Sequence, residues 1–181
     1  HPAIEALFTI DEETGMTGAM GLEGGLLNGA ILLNLDTEED DEIGVGCAGG
    51  IDVTAVGTYD EESTPETKIG YSIEVKGLQG GHSGMDIHKG FGNANKIMNR
   101  LLFDAFENFG LRISEIDGGS LRNAIPRESK AIVAIDMVQE DAFKYEMGLQ
   151  IEAIQSELKT LEPDLIVVLT KIDAPKFIMD L

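Results

Sequence analysis

Only one cysteine, Cys47, occurs in the 181 residues, so no intrachain disulfide can form and nothing in the sequence calls for an oxidising compartment. Basic residues are equally scarce: 13 Lys and Arg stand against 33 Asp and Glu, a formal net charge of -20. A surface that negative repels phosphate backbones and anionic lipid, which argues against nucleic acid and membrane as partners. No apolar run approaches the roughly 20 residues of a membrane span, and the first residues carry neither a basic segment nor a signal-peptide core. Internal repeats and low-complexity tracts are lacking too. These absences point to a cytoplasmic protein. The chain also opens at His1-Pro2 without an initiating methionine and runs at once into apolar sequence, as expected of a segment of a longer protein.

What remains is the composition of an ordinary globular protein, 43% hydrophobic and 25% charged. Ile4 to Ile10 and Ala30 to Leu35 are apolar runs that end in carboxylates, the pattern of buried strands in an open parallel sheet. Sites in such sheets form at the carboxyl ends of the strands. Gly15 to Leu22 can hold a short helix between them. The acidic stretch Thr37 to Glu42 and the glycines that follow mark a change of character, which places a domain boundary near Gly50.

Beyond that point Ile69, Tyr71, Ile73 and Val75 alternate with Gly70, Ser72, Glu74 and Lys76, predicting a strand with one buried face. Ala94, Ile97, Leu101 and Ala105, widened by Met98 and Leu102, predict a helix. Leu111 to Ile116 and Ala131 to Val138 read as strands. Phe143, Met147, Ile151, Ile154, Leu158 and Leu161 then predict a second helix stopped by Pro163, and Leu165 to Leu169 a last strand. The order βαββαβ is that of a ferredoxin-like α+β domain. The fold expected is thus an α/β fragment over residues 1–49 followed by an α+β ferredoxin-like domain over 50–181.

Four motifs carry chemistry. In Asp11-Glu12-Glu13-Thr14-Gly15, extended backbone would turn Glu12 and Glu13 to opposite sides, one toward a metal and one toward a metal-bound water; a solvated loop is the other reading. Asp36, after the second apolar run, offers a hard oxygen ligand or else caps a turn. In Gly80-Gly81-His82-Ser83-Gly84 an imidazole is held among glycines that allow unusual backbone, whereas His88 has no such setting and reads as solvated. Between Gly118 and Arg127, Asn123 supplies a donor and an acceptor, and Arg122 and Arg127 can pair with a carboxylate; a simple turn accounts for them as well.

Together and in this order, the four motifs resemble the dinuclear zinc peptidase family that includes carnosinase and the succinyl-diaminopimelate desuccinylases. The likeness extends through Cys47 to Asp52, Gly90 to Lys96 and Ser120 to Glu128, and so covers essentially the whole chain. It implies a dipeptidase that hydrolyses aminoacyl-histidine dipeptides with water activated by two zinc ions, for which cobalt or manganese can substitute. By motif, Glu12 matches the general base, Glu13 and Asp36 ligands to separate zinc ions, and His82 a lid histidine that stabilises the oxyanion. Asn123 matches a substrate-binding residue, and Arg127 the partner of the substrate carboxylate. Asp11 departs from the small residue usual there. The family's upstream His-x-Asp motif and a further downstream histidine are not in the chain, so the resemblance implies an incomplete site that is inactive alone. It also implies a lid that forms a homodimer. The alternatives are a lid acting purely as an interaction module and a binding-only homologue.

Overall fold

A computed structural model describes residues 2–36, 41–46 and 49–180. Most of the acidic stretch from Thr37, and Cys47, therefore lie outside the described residues. The chain divides into two compact units, residues 1–54 and 55–181.

In the first unit the two expected strands do not form. Its only regular element among the described residues is the short helix α1 (Thr17–Met20), inside the predicted interval. Ile4, Phe8, Ile31, Leu33 and Leu35 are all more than three-quarters exposed. The physical reason is the lack of partners: a strand of a parallel sheet is stable when neighbours satisfy its backbone and helices cover both faces, and the described residues of this unit supply neither. One clamp ties the two runs locally. The Glu5 carboxylate accepts the backbone N–H groups of Asn28 and Gly29, each at 2.8 Å, and the Asn28 side-chain amide at 3.1 Å. Those bonds, the side-chain one foremost, hold the Glu5 carboxyl below its ordinary value.

The second unit contains the predicted elements together with two short strands, the first and the last, that the sequence does not suggest. They are β1 (Glu61–Ser63), β2 (Lys68–Lys76), α2 (Ala94–Phe109), β3 (Arg112–Gly118), β4 (Ser129–Asp136), α3 (Glu140–Leu158), β5 (Ile166–Ile172) and β6 (Phe177–Met179). Strands β3-β4-β2-β5 form one sheet in that order, with every neighbouring pair antiparallel. This is the split βαβ arrangement: β4 lies between β2 and β3, which α2 connects, so the ferredoxin-like order read from sequence holds.

Helix α2 forms because its apolar positions fall on one stripe. Ala94, Ile97, Met98, Leu101, Leu102 and Ala105 are all buried, the six residues that the spacing selects. Asn93 caps its first turn by accepting the Lys96 N–H, and Gly110, at φ +58, closes the last. Helix α3 buries Phe143, Met147 and Ile154. Phe143 stands edge-on to Tyr71 and Phe109, with centroids 5.3 and 5.8 Å away, at the centre of the core.

The details differ from expectation in four places. Helix α3 ends at Leu158, short of Pro163, because the Leu158 carbonyl accepts both the Leu161 and Glu162 N–H groups and turns the chain; Leu161 is then left 40% exposed. Strand β4 begins at Ser129 and gives way at Met137 to a turn of 3-10 helix, and β5 runs on to Ile172. Strand β2 is covered on both faces: Ser72 is buried, and a Cβ on Gly70 would collide with the Asp173 carbonyl. Finally β1 and β6, three residues each, form a small separate sheet that no periodicity predicts. Arg112 ties it to β3 through an ion pair with Glu62 at 2.7 Å and a hydrogen bond to the Met179 carbonyl.

Candidate functional site

Antiparallel pairing brings the ends of β2 and β3 and the starts of β4 and β5 to one end of the larger sheet. The chain leaving β2 and the loop from β3 to β4 must therefore meet there. They do so along a short antiparallel contact. His82 bridges Ala124, the Ile125 N–H donates to the Gly81 carbonyl, and the Ser83 N–H donates to the Asn123 carbonyl, the last two at 2.8 Å. Residues 42 apart in sequence become neighbours in this way.

Between them lies an open groove of about 990 Å³ whose walls include His82, Asn123 and Arg127. Three of the six residues chosen from sequence thus converge. Glu12, Glu13 and Asp36 belong to the first unit and are exposed.

The His82 imidazole is oriented by its own loop. Nδ1 accepts the N–H groups of Gly84 at 3.0 Å and Met85 at 3.2 Å. A ring nitrogen that accepts does not carry the proton, so the neutral ring is the Nε2–H tautomer, a donor. Asp86, which sequence reasoning passed over, completes the loop: its carboxylate accepts the His82 N–H at 2.7 Å and pairs with Lys89 at 2.7 Å. Lys89 first, and then that backbone bond, hold the Asp86 carboxyl below its usual value. The one signal in the sequence is an acid four residues beyond the histidine. His88 is exposed on a turn of 3-10 helix, as its setting suggested.

Gly80 is required twice over. Its φ of +70 is a left-handed conformation, and the stem of Arg127 occupies the space that a Cβ would fill. Arg127 is therefore packed along its methylenes while its guanidinium has no ion pair or hydrogen bond among the described residues. The charged groups of the walls are Glu74, Asp117 and Glu128 against Lys76, Arg127 and Lys130, a balanced set in a strongly acidic chain. Lys76 and Lys130 both face Glu74, at 3.5 Å. Arg127 remains as the cation available to an anionic ligand.

In the first unit, Glu12 and Glu13 sit in a turn, so the extended backbone expected to point them apart is not present. Asp11 builds that turn. At φ +65, its carboxylate accepts the hydroxyls of Thr14 and Thr17 and its carbonyl accepts the Gly15 N–H. The residue that departs from the family pattern thus acts as a turn organiser. Asp36 follows a small turn in which its N–H donates to the Asn34 side-chain oxygen at 3.0 Å. Among the described residues no three His, Cys, Asp or Glu side chains gather as a metal site. Glu13 and Asp36 have the right oxygen chemistry but, as two carboxylates, fall short of the three or more protein ligands usual for a catalytic zinc.

The ferredoxin-like unit and its glycine-bounded histidine define a class, and comparison with known proteins agrees with it. Residues 73–162 match the peptidase dimerisation domain, which covers most of the second unit's larger sheet and both of its long helices. Over 172 residues it is 43% identical to the cytosol non-specific dipeptidase of Escherichia coli, a match covering 95% of this chain and 36% of that protein. It also superposes on the crystal structure of aminoacylhistidine dipeptidase from Vibrio alginolyticus with a TM-score of 0.75 and 40% identity, over 95% of this chain and 35% of that one. The chain thus spans about a third of the length of these relatives. No helix among the described residues is long and apolar enough to cross a membrane.

Proposed function

We propose that the chain is the central part of a zinc-dependent dipeptidase of the cytoplasm. Residues 1–49 are part of its catalytic domain and residues 50–181 its lid and dimerisation domain. The observation that carries this is the groove, in which an oriented Nε2–H donor on His82 and an unpaired guanidinium on Arg127 share one wall set with Asn123. A dipeptide offers the complementary groups, a carbonyl that becomes an oxyanion and a free carboxylate. The names of both relatives as dipeptidases, one acting on aminoacyl-histidine, support the same substrate class.

In this reading His82 Nε2–H donates to the oxyanion of the tetrahedral intermediate. Arg127 holds the terminal carboxylate, and Asn123 positions the peptide. Glu12 accepts the proton of the attacking water and returns it to the leaving amine. Each of these steps is carried by a side chain of this protein. Glu13 and Asp36 would each supply one oxygen ligand to zinc in the complete protein, where the metal would make the attacking water more acidic; those two carboxylates alone do not make a zinc site. The match to a dimerisation domain favours a second role, assembly of a homodimer through the lid.

The test is direct. Isothermal titration of the 181-residue chain with zinc, alongside an assay of aminoacyl-histidine hydrolysis, is expected to give weak binding and no turnover. Tight stoichiometric binding with turnover would show that the chain is a complete enzyme and sink the division of labour proposed.

A further inference from the structure

Glu162 is 2% exposed, the one acidic side chain buried in the core of the second unit among the described residues, and none of the chemistry above uses it. It has no cationic partner there. Its carboxylate is satisfied entirely by backbone: Oε2 accepts the Gln79 N–H at 2.8 Å, and Oε1 accepts the Gly92 N–H at 2.7 Å. A buried carboxylate costs much desolvation unless hydrogen-bonded, so a sequence that only needed packing here would place an apolar residue.

What the carboxylate holds is the base of the His82 loop. Gln79 precedes Gly80-Gly81-His82 directly, and its side chain donates to the Leu161 carbonyl, next to Glu162. Two residues earlier Gly77, at φ +82, lies so close to Asp164 that a Cβ would overlap the Asp164 carbonyl. At Gly92 a Cβ would likewise press on Leu78 and on Glu162 itself. The turn that follows α3 is thus laid along residues 77–79, meeting Gly77 through Asp164 and Gln79 through Leu161 and Glu162. On its far side the same loop is fixed to the groove by the Ile125 to Gly81 and Ser83 to Asn123 hydrogen bonds.

We infer that Glu162 is a positioning residue for His82: it anchors the root of the Gly80-Gly81-His82 loop and so sets the imidazole toward the groove. The inference rests on the reading of His82 as a group that serves the groove. Its test needs neither substrate nor metal, so failure of the dipeptidase reading leaves it standing on its own.

The experiment compares wild-type chain with Glu162→Gln, which keeps the shape but loses one acceptor, and with Glu162→Ala, which loses both. Amide hydrogen exchange and the 15N shifts of the His82 ring are read by NMR. Expected are at least tenfold faster exchange at Gln79 and Gly92, exchange at Ile73 and Val133 within twofold of wild type, and ring shifts moving from the Nε2–H tautomer toward an averaged value. Alanine should exceed glutamine in each effect. Uniform acceleration through the core, or loss of a folded spectrum in both variants, would make Glu162 a general stability residue and overturn the inference. So would unchanged His82 shifts.

Discussion

Three glycines allow the backbone geometry to be tested by sign as well as by size. At Gly80 an alanine must adopt φ +70, which costs about 1–2 kcal/mol. Its methyl group also overlaps the stem of Arg127, which can move aside, and lies 3.3 Å from the Ile125 carbonyl, a much looser approach to fixed backbone than the one at Gly77. At Gly77 the φ of +82 brings a similar penalty, but the obstacle is the Asp164 carbonyl, fixed backbone, so the cost should reach about 3 kcal/mol or more. Gly148 lies inside α3 with open space around it, and alanine there should stabilise by about 0.5–1 kcal/mol. Urea unfolding monitored by circular dichroism should therefore order the midpoints Gly77→Ala, Gly80→Ala, wild type, Gly148→Ala, from lowest to highest. A Gly80→Ala variant as stable as wild type, or a Gly77→Ala less harmful than Gly80→Ala, would refute the loop geometry on which the groove depends.

Tyr71 donates to Glu140 at 2.6 Å, and Lys171 pairs with the same carboxylate at 2.8 Å. Burial, and then Glu140, push the Tyr71 phenol well above its ordinary value of 10.0, so it stays protonated in the folded state where the unfolded chain ionises. Its contribution is complete below pH 10 and is lost as pH rises beyond it, and Tyr71→Phe should flatten that alkaline decline in pH-dependent denaturation. Lys171 first, and then Tyr71, hold the Glu140 carboxyl below its ordinary value of 4.5. That contribution is present above pH 4.5 and lost as pH falls through the lowered value, so Glu140→Gln should reduce the acid dependence of stability on the same instrument. Phe143→Ala removes a fully buried ring with two edge-on partners, and calorimetric unfolding should register a loss of about 3–5 kcal/mol.

The second unit was legible because its signals are local and redundant. Ala94 to Ala105 keep helical spacing between a capping Asn93 and a left-handed Gly110, so pattern and caps agree. The strand pattern of β2 was clear as well, but its central place in the sheet was not, since Gly70 and Ser72 are covered by chain distant in sequence. Ile4 to Ile10 failed for a different reason. An apolar run reads alike whether or not its sheet neighbours are at hand, and here it lies exposed. The short strands β1 and β6 hold too few residues to display a period.

Of the site, His82 was visible because glycines surround it, and its convergence with Asn123 and Arg127 follows once the strand order is known. Glu162 was not visible, since an acid just before a proline at a helix end ordinarily reads as solvated. Its burial depends on Gln79 and Gly92 offering their N–H groups from 83 and 70 residues away.

That His82 and Arg127 form the lid half of a dipeptidase site is tested most directly by the steady-state kinetics of the full-length parent protein carrying His82→Ala, with an aminoacyl-histidine dipeptide as substrate. Loss of an oxyanion donor should lower kcat by about 10²–10³ with a smaller change in KM. A His82→Ala enzyme with wild-type kcat and KM would contradict the proposed role.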